Sequence, residues 1–440
     1  MANLKEYKLG NIANIVVSNV DKKTTPNQKT VKLCNFVDVY YNWAITKSNY
    51  DSFMTATASD EEISKFSLKK GQVAFTKDSE TRDDIGIPAY IAEDFKDVVL
   101  GYHTALATPD ENIVTGEYLN AFMHSSYIQK YFELNATGSG MRYTLSQQTL
   151  HDIPILAPDL DAQHKIGSLL SKIDRKISIN REINRNLEEL AKQIYDYWFV
   201  QFDFPNKEGK PYKSSGGKMV YNEVLKREIP AGWEIKKISS QIKENIGGDW
   251  GKEEPEGNYQ LKVSCCRGAD LVSMTDLPTR YILNSNSYKL LEEDDMIVEI
   301  SGGSPTQATG RCVLISKEIL NSFNNKLICS NFCQALSISD KDYVSYFYYM
   351  WKMFYNSDVF FNFEGKTSGI KNFQYDTFVA EKWYFPPKDL AKKFKEIVSQ
   401  NYMKKCALDQ ENKHLAALRD ELLPLLMNGQ VTLNSCLSHD

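Results

Sequence analysis

A chain of 440 residues, 42% hydrophobic and 25% charged, can bury a sizeable core and divides into roughly two to four domains of about 150 residues each. That balance excludes disordered, collagen-like and mucin-like chains, and no stretch approaches the roughly 18 uninterrupted apolar residues of a membrane span. A net charge of -5 argues against indiscriminate nucleic-acid binding but allows a DNA reader whose cations gather on one face. Residues Met1 to Gly10 carry no apolar run ahead of a small-residue cleavage site, so no secretory signal is expected. The eight cysteines, none of them in a C-x-x-C pair, are expected to stay reduced in a cytoplasmic protein.

The chain repeats itself once. Gly138-Ser139-Gly140-Met141-Arg142 has its counterpart in Thr367-Ser368-Gly369-Ile370-Lys371, and a short apolar strand ending in proline follows each, Ile153 to Pro158 and Trp383 to Pro387. Gly369 lies 229 positions beyond Gly140, and Pro387 lies 229 beyond Pro158. Two landmarks at one spacing mark a duplication.

In chain order, Tyr7-Lys8-Leu9 opens the first lobe, and short strands are predicted at Val31 to Phe36 and Val73 to Thr76, the second overlapping the apolar strand read at Leu68 to Phe75. Glu117 to Phe132 is helical and aromatic-rich; its aromatics recur at helical spacing and read as core. A first long helix is predicted from Asp161 to Phe199. Ile166, Leu170, Ile173, Ile177, Leu187, Ala191, Ile194 and Trp198 fall in alternating steps of four and three, and Asn180 and Asn184 fill the two missing seam positions. The connector from Pro205 to Lys237 has eight Lys and Arg against four Asp and Glu, and its Ser214-Ser215-Gly216-Gly217 reads as a flexible turn. The second lobe then repeats the first: Trp233-Glu234-Ile235, the run Leu291 to Val298, a strand at Met296 to Ile300, and an aromatic-rich helical piece at Tyr343 to Phe361. A second long helix runs from Asp389 to Met427 with Phe394, Val398, Leu408, Leu415 and Leu422 in its seam, interrupted by Asn401, Lys405, Asn412 and Arg419.

A 3.5-residue period over several heptads means coiled-coil packing, in which polar seam residues fix register. At 1.5 Å per residue each helix is about 55 Å long, too long for the interior of an ordinary domain. The expected fold is therefore α+β: two α/β lobes in internal repeat, 1–158 and 233–387, with two long helices, 159–204 and 388–440 (the latter including a tail), forming an antiparallel coiled coil, and a connector at 205–232. A lobe at either end of paired helices makes a dumbbell; packing of each helix along its own lobe is the alternative.

Catalytic parts are missing. Gly365-Lys366-Thr367 has Phe360 where a P-loop needs glycine. No glycine-rich turn follows a strand in the dinucleotide-binding pattern, and Phe385-Pro386-Pro387 lacks the Asn or Asp that a methyl-transfer site on an amino group needs. The six histidines are scattered, no zinc spacing is present and there is no G-x-S-x-G elbow. The chain reads as non-catalytic, without metal.

Two loops per half carry the candidate chemistry. Ser139, Gly140 and Arg142 in the first half, and Lys366, Ser368, Gly369 and Lys371 in the second, combine close backbone approach, a hydroxyl and a cation, which suits a phosphate or a base edge. The loop after the central strand contains Lys77, Ser79, Thr81 and Arg82 in the first lobe and Ser301, Ser304, Thr306, Gln307, Thr309 and Arg311 in the second. Hydroxyl, amide and guanidinium groups on a long loop are what direct base readout uses. For both loops an ordinary solvated turn is the competing reading.

The run NLEELAKQIYDYWFVQFDFP around Leu187 to Phe204, GKPYKSSGGKMV from Gly209, REIPAGWE from Arg227, and the paired turns leading to IPILAP-type strands together resemble the specificity subunit of type I restriction-modification systems. The resemblance covers essentially the whole chain; the second helix departs from it, with Lys405 and Arg419 in its seam. It implies that each lobe is a target-recognition domain reading one half of a split, asymmetric double-stranded DNA target. The helices would act as spacer and as dock for two modification subunits that bind S-adenosylmethionine and methylate adenine, joined by restriction subunits that use ATP and Mg. This chain would carry no cofactor of its own and no membrane segment, while the assembled complex would be an adenine-specific methyltransferase and ATP-dependent endonuclease. A coiled-coil adaptor whose lobes bind proteins is the competing function.

Overall fold

The computed structural model describes residues 4–140, 142–274, 277–302, 306–367 and 370–430. The chain forms two compact units. The first takes the chain up to Glu182 and resumes at Asp409; the second is Ile183–Leu408. The boundary thus falls inside both long helices, so each unit contains one lobe together with its own stretch of each helix.

In the first unit a five-stranded sheet runs in the order Ala13–Val17, Thr104–Pro109, Val73–Thr76, Pro88–Ile91, Ala44–Ile45. Beside it lies a three-stranded sheet in which Lys29–Cys34 pairs antiparallel with Met54–Ala58 and parallel with Val98–Leu100. The second unit repeats this plan, with a four-stranded sheet built on Met296–Glu299 and Cys333–Ile338, and a three-stranded one in which Tyr259–Cys266 pairs antiparallel with Thr279–Leu283 and parallel with Lys326–Cys329. The proline-ended strands close each lobe against its opening strand: Lys5–Lys8 on Pro154–Ala157, and Glu234–Lys237 on Lys382–Phe385. The central strands are shorter than the apolar runs predict. Val73–Thr76 and Met296–Glu299 are strand, while Leu68 and Leu291 precede them as buried loop residues.

The aromatic pieces are core. Glu117 to Phe132 is split into the helices Gly116–Met123 and Ser126–Asn135, each N-capped by a hydroxyl, Thr115 and Ser125. Tyr118, Phe122 and Phe132 are buried from the first pair, and Tyr346, Phe347, Trp351 and Phe354 from the helix Val344–Asn356 of the second unit. The connector is not a flexible linker. Asp203 accepts bonds from the Ser214 backbone (2.7 Å) and hydroxyl (2.6 Å). Met219–Asn222 and Arg227–Pro230 form a hairpin, and the Arg227 guanidinium lies 4.9 Å from the Phe202 ring. Burial of Phe202, Ile229 and Trp233 in the same core as Tyr384 explains why the segment is ordered.

The long helices are Leu160–Tyr195, continued by one wider turn at Asp196–Val200, and Lys388–Met427. No described helix is long and apolar enough to cross a membrane. Within the first unit the helix segments run antiparallel. The Asn180 amide donates to Glu411 (2.7 Å) and Asn412 (3.0 Å), Lys176 pairs with Glu411 (3.3 Å), and Ile166 and Leu170 share a core with Leu423, Leu426 and Met427. Within the second unit the Asn184 amide reaches the Lys405 carbonyl (3.5 Å), Lys405 pairs with Glu188, and Tyr195 and Phe199 pack on Phe394. Of the seam residues, Ile166, Leu170, Ile173, Ile177, Phe394 and Val398 are buried, whereas Leu187, Ile194, Leu408, Leu415 and Leu422 are half-buried. Near its end the second helix turns Leu423, Leu426 and Met427 inward instead of Leu422. The core they join there holds lobe residues as well as Ile166 and Leu170, so the 3.5-residue spacing no longer governs.

Three of the four polar seam residues of the second helix have partners, while the Asn401 amide nitrogen is buried without a hydrogen-bond partner among the described residues. Asn412 answers Asn180, Lys405 answers Glu188, and Arg419 leaves the seam for the first lobe. Its guanidinium lies 4.8 Å from the Trp43 ring, which stacks on His124 at 4.0 Å and 6°. Burial, reinforced by the Arg419 charge, pulls His124 down to about 3, against a bond to the Pro88 carbonyl. Burial pushes the nearby Asp174 carboxyl up to about 6, despite Arg419 and Arg181. His124 therefore binds fewer protons folded than unfolded; the stability it carries is whole above about 6.5 and drains as the pH falls toward 3. Asp174 binds more protons folded than unfolded between 3.8 and about 6, so its contribution rises as the pH falls through that window. In thermal melts of the full chain, Asp174→Asn is expected to steepen the loss of stability between about pH 6 and pH 4.5 and His124→Gln to flatten it. Slopes equal to that of the unsubstituted chain in both variants would contradict this assignment.

Candidate nucleic-acid interface

In each unit a small three-stranded sheet brings the two candidate loops together. In the first, the glycine hairpin pairs Ser139 with Arg142 and Thr137 with Thr144, and its second strand takes up the chain just after the central strand, Tyr143 opposite Ser79 and Thr144 opposite Asp78. In the second, Glu364–Thr367 pairs with Ile370–Phe373, and Ser301 and Gly302 lie opposite Asn372 and Lys371. Loops some sixty residues apart in the sequence thus share one edge, twice. Glycine is required at the first hairpin. Gly138 has φ +136°, and a Cβ there would meet the Arg142 carbonyl at 2.1 Å; Gly140 has φ +75° with open space around it.

The first unit's face sets exposed cations beside the carboxylates of Glu80 and Asp83 and is partly cross-braced. The Lys77 ammonium donates to the Thr144 hydroxyl (2.8 Å) and approaches Asp78 at 3.3 Å. Asp78 also meets His103 Nδ1 at 2.5 Å. Burial pushes the Asp78 carboxyl up, but bonds from Thr144, His103 and Lys77 outweigh it and hold it below its usual value. The Thr81 backbone N–H donates to the Ser79 hydroxyl (3.3 Å), and Thr81 and Arg82 are exposed. The Arg82 guanidinium lies 5.1 Å from the Tyr143 ring. Ser139, Gly140 and Arg142 are exposed, and among the described residues Arg142 has no carboxylate partner.

The second unit's face uses its cations differently. Arg311 makes a two-pronged bond to Glu299 (2.9 and 2.8 Å), with Glu299 buried. Lys371 pairs with Glu364 at 2.9 Å, and Glu364 also accepts from the Thr309 N–H (2.8 Å) and hydroxyl (3.2 Å). Ser301 donates to Asn372 (2.7 Å). Thr306 and Gln307 are exposed. Lys366 lies in the outer hairpin strand, opposite Lys371. Ser304, Ser368 and Gly369, together with Met141 of the first hairpin, lie outside the described residues. Among the described residues no group of three His, Cys, Asp or Glu side chains is placed to hold a metal ion.

Sequence reasoning missed His103, the ring of Tyr143, and the carboxylates of Glu299 and Glu364. It also missed a helical turn that follows the middle strand of the neighbouring three-stranded sheet in both units. At the start of Phe36–Tyr40 the Asn35 backbone N–H donates to Asp38 (2.7 Å), and at the start of Gly268–Val272 the Arg267 backbone N–H donates to Asp270 (2.9 Å). An Asp four residues beyond the end of an apolar strand, placed to accept from the backbone N–H three residues before it, is the signal that would have revealed it. Val37, Tyr41 and Val272 stand exposed on these turns.

Comparison with known proteins places this geometry. Residues 1–189 match the type I restriction modification DNA specificity domain. The type I restriction enzyme MjaIX specificity subunit of Methanocaldococcus jannaschii is 24% identical over 339 residues, 73% of this chain and 70% of that protein. The HindI specificity subunit of Haemophilus influenzae is 28% identical over 208 residues, 46% of this chain and 42% of that protein. This chain resembles type I specificity subunits. The likeness extends to the fold: the crystal structure of a type I restriction-modification S subunit from M. genitalium matches with a TM-score of 0.57 at 15% identity, over 97% of this chain and 96% of that one.

The two faces respond differently to loss of a cation. Arg311→Met strands Glu299 as a buried, unpaired carboxylate and is expected to cost about 3 kcal/mol of stability, of which Glu299→Leu in the same chain recovers most. Arg142→Ala is expected to stay within about 0.5 kcal/mol of the unsubstituted protein. Chemical denaturation of the two single variants and the double variant checks both values.

Proposed function

We propose that this chain is the DNA-specificity subunit of a type I restriction-modification complex, each lobe reading one half of a split target. The observation that carries the reading is the repeated small sheet, which in two units of one plan gathers unlike side chains onto one edge. Equal backbones with different side chains suit two different half-sites. The resemblance of the whole fold to a type I S subunit supports it, as do the exposure of Arg142 and that of Arg82 beside the Tyr143 ring.

The long helices then serve as spacer and dock. At 1.5 Å per residue, helices of 36 and 40 residues are about 54 and 60 Å long, somewhat more than one DNA turn of about 34 Å. Exposed apolar side chains along them, Ile179 and Leu418 in the first unit and Leu190, Ile397 and Met403 in the second, support docking of modification subunits. The chemistry belongs to those partners: they would bind S-adenosylmethionine and methylate adenine, and ATP-dependent restriction subunits would join them. This chain's own part is to bind, orient and select, without a cofactor of its own, in the cytoplasm.

Single-molecule methylation sequencing of DNA from cells expressing this chain with its modification subunits tests the reading. One methylated-adenine motif is expected, made of two unlike half-sites around an unread spacer. Absence of any motif that depends on this chain would refute it, and a DNA complex without sequence preference in gel shifts would favour the adaptor. Removing four residues from each long helix shortens it by about 6 Å. The spacer is then expected to contract by about two base pairs, or modification to be lost; an unchanged spacer counts against the ruler. For the first face, Arg142→Ala is expected to weaken binding across all sequences and lower the slope of log K against log salt by about one.

A further inference from the structure

A pair of backbone bonds repeats in both units and fixes one residue on each face. In the first unit the Gly101 N–H donates to the Cys34 carbonyl (2.7 Å) and the Lys77 N–H to the His103 carbonyl (2.9 Å). In the second, the Ser330 N–H donates to the Cys266 carbonyl (2.8 Å), and the Ile300 N–H to the Phe332 carbonyl (2.9 Å). Phe332 therefore stands where His103 stands, beside the two-residue strand that joins the small sheet; the Ser301 N–H also reaches its carbonyl, at 3.3 Å. The two side chains differ in kind. His103 is held by Asp78 and lies against Tyr102. Phe332 is 49% exposed and makes no ring contact among the described residues. On the neighbouring turn Val272 is 77% exposed.

Among the described side chains of this face, the cations are already engaged. Arg267 is bound to Asp270 (2.8 and 2.9 Å), Arg311 to Glu299 and Lys371 to Glu364. A guanidinium or ammonium that grips a guanine edge must first leave its carboxylate, and in the last two pairs that carboxylate is buried. Besides the exposed Thr306 and Gln307, this edge offers a duplex apolar surface without rearrangement, and the one apolar group displayed by base pairs in the major groove is the thymine 5-methyl.

We infer that the second unit reads its half-site by apolar contact, with Phe332 against the 5-methyl group of a thymine, whereas the first unit reads through Arg82, Arg142 and His103. This rests on the DNA-specificity reading above. The half-site belonging to the second unit is the one that changes when residues 233–387 are exchanged for those of a relative.

Duplexes carrying the motif, with each thymine of that half-site replaced in turn by deoxyuridine, test the inference in the full complex. Deoxyuridine lacks the methyl and keeps the hydrogen-bonding edge. At one position the replacement is expected to weaken binding about fourfold, the worth of one buried methyl group. Phe332→Ala is expected to lose at least as much on the thymine duplex and to stop distinguishing thymine from uracil there, while Phe332→Leu keeps part of the difference. An unchanged melting temperature is expected for both variants, because the ring is half-exposed. A Phe332→Ala complex that still tells thymine from uracil at every position, or a half-site without an A·T pair, overturns this inference and leaves the parent reading intact. Loss of the motif itself in the unsubstituted complex would remove the parent reading instead.

Discussion

Two residues of extended chain, Asp78–Ser79 in one unit and Ser301–Gly302 in the other, pair with the second strand of a glycine hairpin and fasten it to the central sheet. The candidate faces exist because of that pairing. Without it the hairpin is an isolated two-stranded ribbon, which is marginal in water, and the loop after the central strand has nothing to align it. With it, side chains from two distant loops acquire fixed neighbours: Lys77 finds Thr144, Arg82 finds Tyr143 and Ser301 finds Asn372.

The same economy of fixed neighbours explains the long helices. Their polar seam residues look like defects in a heptad pattern, yet buried Asn180 bonds Glu411 and Asn412, and Lys405 bonds Glu188. Polar pairs of this sort fix which turn faces which, because a slip by one heptad leaves a buried amide unbonded. Arg419 does a different job in the first unit, where it covers Trp43 instead of meeting a seam partner. One helix is thereby tied to its lobe through a cation on a ring, at the place where hydrophobic seam contacts give way to lobe contacts.

The two units share a backbone plan and diverge in electrostatics. The first leaves Arg82 and Arg142 exposed and places an Asp78–His103 pair behind them. The second draws Arg311 and Lys371 inward onto Glu299 and Glu364 and leaves Phe332 and Val272 outside. A duplicated scaffold can therefore hold its fold while its faces take opposite chemical characters, since the ion pairs that differ are local to loops and the strands that match carry the core.

Much was legible in the residues alone. The duplication, the long helices, the central strands and the core role of Tyr118, Phe122 and Trp351 follow from period and spacing, which are properties of neighbours along the chain. The sequence by itself also located both candidate loops in each half. The tertiary structure alone decided that those loops share one sheet, that residues 205–232 are folded and not a linker, and that Arg142 stays exposed while Arg311 and Lys371 are neutralised. The physical reason is distance: whether a cation is available depends on a carboxylate seven to twelve residues away, as Glu364 is from Lys371 and Glu299 from Arg311, arriving within 3 Å through strand pairing, and no periodicity in the chain encodes that meeting.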